Sequence, residues 1–349
     1  AVLISFHLAS AGLLKINGQV QGILFILVIG AATDYSLLYV SRFREALREN
    51  ESVWGATKAA SKGSVAAILA SGGTVIAGLL CLLLSDLASN KALGPVAALG
   101  IVFAVLVALT FLPAMLLLAG RVAFWPRHLH RVAEPTSEGR RGLWAGIAEL
   151  IDRRARRVWV IVGILLALGC VGLVSLNASG VPVSEFVMGE SQARDGQNVL
   201  AAHFPGGSGQ PVLVIVPEEK LDEVATVALG NPGVSGATVV SGDSPSGSIP
   251  IPTPPAGPFA QATPTVADGD VMLQFTLADK ADSLEAERTV ADLRSTLRAV
   301  DPSIIAGGST AIDLDTNLTS TRDRNLIIPV VLAVITLILM VLLRSILAP

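Results

Sequence analysis

The run "GAATDYSLLY" at 30–39 carries Asp34 and Tyr35 side by side in a stretch that is otherwise apolar. A carboxyl beside a phenol is suited to passing a proton, because the carboxylate takes it up and the hydroxyl both donates and accepts. Counted from Gln21, Asp34 lies about 20 Å along a helix at ~1.5 Å per residue. In a hydrocarbon core of about 30 Å that is past the middle. Placing an Asp there costs about 2.5–3.5 kcal/mol, a cost tolerated where the side chain faces a bundle interior or a water-filled cavity. Gly30, Ala31, Thr33 and Ser41 lie on or beside its face and are small enough to admit another backbone. Tyr35 is turned ~100° from it, toward an adjoining crevice. On the next apolar segment Ser64, Ser71 and Thr74 fall on roughly one face, within reach of Asp34 as supporting hydroxyls. The plainer alternatives are a permanently protonated Asp34 that bonds a neighbouring helix, and hydroxyls that cap their own backbone.

Other candidate groups carry less. Cys81 and Cys170 both sit in apolar runs and read as buried structural thiols rather than a disulfide framework. His128 and His130 form an H-x-H in a basic loop with no further ligand at metal spacing, and Asp313 and Asp315 read as solvated. Neither a G-x-S-x-G elbow nor a G-x-x-x-x-G-K phosphate loop occurs. No cofactor, no metal and no enzymatic nucleophile–base set is therefore expected.

The elements that must position Asp34 are membrane helices. The chain of 349 residues is 52% hydrophobic and 15% charged, well below the ~25% charge of soluble domains, and its mean hydropathy is +0.64. A formal net charge of −3, with no basic run interleaved with aromatics, sets nucleic-acid partners aside. Four complete spans are predicted at 21–41, 64–85, 93–119 and 158–176, and a fifth at 325–343, reaching 347 with its flank. Residues 1–14 read as the end of a truncated span, so the chain is expected to be an internal piece of a larger membrane protein. The loop 42–62 carries five Arg and Lys, and the loop 120–157 carries nine Arg. The positive-inside rule places both in the cytoplasm, with 15–20, 86–92 and the insert 178–324 external, in a cell-membrane protein that crosses several times.

The insert reads as an α/β domain. Strands are predicted at 210–217, 233–241, 270–278 and 303–309, with helices at 219–229 and 283–300. That is the β-α-β-β-α-β, ferredoxin-like order. The Pro-rich stretch near 243–266 is expected to lack regular structure, and 311–325 to lead as a helix into the last span.

"GAATDYSLLYVSRFREAL" (30–47) resembles the signature of the MmpL-type branch of the resistance-nodulation-division transporters. "ASGGTVIAGLL" (70–80), "LGIVFAVLVALTFLPAMLLL" (99–118) and "LIIPVVLAVITLILMVLLRSILAP" (326–349) are similar to later helices of that family. The resemblance implies a polytopic α-helical bundle, present here in part, with an external ferredoxin-like porter domain. It implies proton-driven export of lipids or other hydrophobic molecules across the cytoplasmic membrane, with Asp34 and Tyr35 as one of two Asp-Tyr relay pairs. The partners implied are protons, membrane lipids, the remaining transmembrane half with the second pair, a first porter domain and, compatibly, further copies of the protein. Two other readings stand beside it: a non-transporting, sterol-sensing or receptor-like relative, and an accessory of protein secretion.

Overall fold

A computed structural model describes residues 2–12, 17–125, 143–172, 189–252, 257, 259 and 261–347. The chain divides into two units, one formed by Ala1–Leu176 with Arg322–Pro349 and the other by Asn177–Thr321. The H-x-H pair lies outside the described residues.

The first unit is built of long helices. After α1 (Val2–Ser10), α2 runs through Gly18–Glu49. It starts where the Asn17 side chain accepts the Val20 N–H at 2.8 Å. α3 (Val53–Leu80) starts at Ser52, whose hydroxyl accepts the Gly55 N–H at 2.9 Å, and ends in a 3₁₀ turn, Cys81–Leu84. The stretch 42–62, expected as a loop, is therefore helical apart from residues 50–52. Helices end at their caps and not where the apolar run ends, so Arg42, Arg44, Arg48, Lys58 and Lys62 stand on helical extensions. α4 (Ala88–Leu106) passes through a π-helical turn, Val107–Phe111, into α5 (Leu112–Ala119). The wide turn lies just before Pro113, where the ring would clash with the carbonyl of a regular α-turn. α6 (Leu143–Val171) bends at Arg154, and α10 (Ser309–Leu343) is one uninterrupted helix that includes the expected helical lead.

Gly18–Glu49, Val53–Leu84, Ala88–Phe124 and Ser309–Leu343 are each long and apolar enough to cross a membrane. The expected span at 158–176 is helical as far as Val171. Its apolar part covers about 21 Å at ~1.5 Å per residue, and its last four residues lie outside the described ones. Cys170 on this helix is exposed, not buried as expected, while Cys81 is half-buried with its thiol on the Ala77 carbonyl.

α2, α3 and α4 pack against one another around Tyr35, Tyr39, Phe43, Leu47, Ile68 and Ile101. Lipid gives helices no hydrophobic reason to associate, so close backbone approach matters. A methyl group on Gly100 of α4 would sit 2.5 Å from Val28 and 2.7 Å from Leu24 of α2, and one on Gly94 would sit 2.7 Å from the Leu79 carbonyl. α10 packs on α3 where Val331 and Ile335 meet Gly78.

Among its described residues, the second unit holds one antiparallel sheet. Its strands are β1 (Val212–Pro217), β2 (Val234–Val240), β3 (Ser248–Ile251), β4 (Asp270–Leu277) and β5 (Ile305–Gly307). The spatial order is β3-β2-β4-β1-β5, with Val214 opposite Leu273 at the centre. The four expected strands thus take the ferredoxin-like order, and β3 is added at an edge. β3 falls inside the Pro-rich stretch expected to lack regular structure, and it includes Pro250, which an edge strand tolerates. Alternation along β4 sends Val271, Leu273, Phe275 and Leu277 inward. They are covered by Val224 and Ala228 of α8 (Leu221–Leu229) and by Val290, Leu293 and Leu297 of α9 (Leu284–Val300). α7 (Gln192–His203) precedes the sheet and was not read from the sequence.

Candidate functional site

Asp34 and Tyr35 are adjacent on α2, and 100° of helical rotation sends them to different surroundings. Tyr35 is inward, 6% exposed, in the core shared with α3 and α4. Its hydroxyl lies against Gly72, where an added Cβ would be 3.6 Å from that oxygen and 2.6 Å from Val105 Cγ2. Asp34 is exposed, and no hydrogen bond or ion pair joins it to a described residue. The small-residue face expected around it exists, with Gly30, Thr33 and Ser41 also exposed. It is open among the described residues, whereas Ala31 turns toward the core. Thr33 hydrogen-bonds its own helix, donating to Ile29 O at 2.8 Å.

The expected supporting hydroxyls do not reach Asp34. Thr74 donates to Ala70 O at 2.8 Å, Ser71 is exposed, and Ser64 is fully buried with its Oγ unpartnered. The buried positions of α3 are Ala56, Thr57, Ala60, Ser64, Ile68 and Gly72, and all but Thr57 recur four residues apart. Such a stripe drifts by about 40° per step. It therefore leaves Ser71 beside it, although Ser64 lies almost directly below Ser71 on the helix.

Two polar clusters were not read from the sequence. Tyr39, one turn after Tyr35, is fully buried; its hydroxyl donates to Thr57 O at 3.3 Å and lies 2.8 Å from Ser61 Oγ. The i, i+4 spacing of the two tyrosines was the available signal. At the α3–α4 turn, Asp323 of α10 is 4% exposed; it accepts a short hydrogen bond from Ser85 Oγ and the Asp86 N–H at 3.3 Å. Arg322 beside it pairs with the Asp86 carboxylate. Sequence offers only charged residues at the ends of two apolar runs, with nothing to join them.

Asp315 is exposed, as the solvated reading expects, although it is paired, while Asp313 is half-buried. Arg294 holds Asp315 through two bonds of 2.5 and 3.0 Å, which lowers the Asp315 carboxyl below the usual range. Asp313 lines a cavity of about 580 Å³ with Arg194, Gln210, Lys280 and Asp282. Burial, and then the Asp282 charge, push its carboxyl up.

The sequence model of the MMPL family matches residues 1–158 and 185–349, taking in both Asp34 and the α10 cluster. The chain belongs to the MMPL family. Among relatives of this MMPL chain, the putative membrane protein SCO0839 of Streptomyces coelicolor is 44% identical over 95% of the chain. The apo-petrobactin exporter of Bacillus anthracis is 28% identical over 98% of it, and the sulfolipid-1 exporter MmpL8 of Mycobacterium tuberculosis is 27% identical over 60%. The chain spans 45%, 46% and 18% of the lengths of these three relatives, respectively. With four helices among the described residues able to cross a membrane, it is a membrane protein of this family.

Proposed function

We propose that the chain is part of a proton-driven exporter of lipids or other hydrophobic molecules, in which Asp34 loads and releases the proton and Tyr35 relays it. One observation carries this reading: Asp34 stands on an open face of small residues while its neighbour Tyr35 is locked inward. A carboxyl in lipid needs a partner or water. The face of Gly30, Thr33 and Ser41 offers the close approach that a facing helix of the complete protein requires. The remaining transmembrane half, with a second Asp-Tyr pair, is the occupant that fits, and Ser64 and Ser71 would meet the relay only through it or through water. Two relatives named as exporters, of apo-petrobactin and of sulfolipid-1, support a role in export.

The test is export by the full-length protein in energised vesicles. Asp34→Asn keeps the size and most of the hydrogen bonding of the side chain but cannot change charge, so flux should stop while folding and insertion persist. Tyr35→Phe should slow it. Moving one charge across the membrane is worth ~2.3 kcal/mol per 100 mV, whereas interhelical polar bonds average ~0.6 kcal/mol. Wild-type flux from Asp34→Asn would reduce Asp34 to helix glue.

A further inference from the structure

The backbone of α6 leaves helical geometry at Arg154, with φ −137° and ψ 34°, and divides the helix in two. Before the bend, Ile147, Leu150 and Ile151 are exposed at i, i+3 and i+4, a single apolar stripe. Glu149, Asp152 and Arg153 occupy the opposite side, where Arg153 pairs with Glu149 at 2.6 Å. After the bend comes the apolar run Val158–Val171, with Trp159 exposed at its start. Between the two, Arg153, Arg154, Arg156 and Arg157 line one hollow of about 480 Å³. On a straight helix these positions would fan around the axis at 100° per residue; the bend gathers them. Arg154, Arg156 and Arg157 are exposed and have no acidic partner among the described residues.

We propose that this bend is a binding site for anionic phospholipid: the apolar stripe of Ile147, Leu150 and Ile151 lies in the membrane surface, and the arginines after it clasp the lipid phosphate. An amphipathic segment of low net hydrophobicity settles at the interface rather than across it. A tryptophan at the head of an apolar helix sits at headgroup depth, which puts the arginine hollow level with the phosphates. Guanidinium groups hold phosphate through paired N–H bonds. Charge complementarity thus selects an anionic leaflet over a zwitterionic one. The site is separate from the relay, and its test reads binding rather than export.

Purified full-length protein in mixed micelles is titrated with phosphatidylglycerol, with phosphatidylcholine, and with glycerol phosphate as the free headgroup. Phosphatidylglycerol should bind saturably, phosphatidylcholine should not, and glycerol phosphate at equal concentration should fail to displace the lipid. Each basic side chain near an anionic surface strengthens binding about fivefold, so Arg154→Gln with Arg157→Gln should lower it about 30-fold. Equal binding of the two lipids, full displacement by glycerol phosphate, or no loss in the double variant would each overturn the proposal. Should that variant fail to insert, photoactivatable phosphatidylglycerol on the wild-type protein decides. Crosslinks concentrated in 147–159 support the site, and crosslinks spread evenly over the spans refute it.

Discussion

Asp323→Ala should loosen the α3–α4 turn more than any change to the neighbouring ion pair. Asp323 is buried and accepts from Ser85 Oγ and from the Asp86 N–H, and the Ser85 side chain is itself 1% exposed. A hydrogen bond to a charged group is worth about 1.5–3 kcal/mol. The backbone bond at 3.3 Å is long, so the sum stays near 2–3 kcal/mol, or roughly a 30- to 150-fold change in the opening of the turn. Arg322 and Asp86 form a bridge whose side chains are 68% and 51% exposed. Screened by solvent, it contributes under ~1 kcal/mol, so Arg322→Ala should matter little. Asp323→Asn keeps an acceptor for Ser85 and should fall between. Thermal inactivation of the detergent-solubilised full-length protein ranks the three variants, and hydrogen exchange of the 82–92 segment localises the effect. Equal losses from Arg322→Ala and Asp323→Ala, or unchanged exchange in 82–92 after Asp323→Ala, would refute the reasoning from burial.

Gly72→Ala should disturb the Tyr35 environment, because its new Cβ falls 2.6 Å from Val105 Cγ2 and near the Tyr35 hydroxyl. Overpacking of this kind costs about 1–3 kcal/mol; Gly73→Ala, with nothing within 4 Å, is the control, and stability in detergent separates them. In the second unit, the hydrogen bond from Lys220 at 2.5 Å, with further bonds from Ser303, holds the Asp301 carboxyl well below its ordinary range. A depressed carboxylate stabilises the fold above its unfolded pKa and loses that contribution as pH falls through the folded one. Acid titration of the protein should therefore show Lys220→Met losing stability at neutral pH and less of its remaining stability than wild type below about pH 4; identical acid profiles would dismiss the pair.

Local rules carried much of this protein in its sequence. The apolar runs state which helices lie in lipid, because backbone groups there have no solvent to bond. The alternation "VMLQFTL" writes the inward residues of β4 directly, since side chains on a strand change face at each step. Asp34 and Tyr35 were legible as a pair because a carboxyl inside an apolar run is costly enough to stand out. Which of the two turns inward was not legible, since each has 100° of helix to choose from and the neighbours decide. Packing of α3 and α4 on α2 gave the interior to Tyr35 and Tyr39 and left Asp34 on the open face. The drift of the α3 stripe, the edge strand β3 built through Pro250, and the bond between Ser85 and Asp323 across 238 residues are likewise tertiary. Period and capping act within a few residues, but a partner at that separation is chosen only when the helices that carry both groups pack side by side.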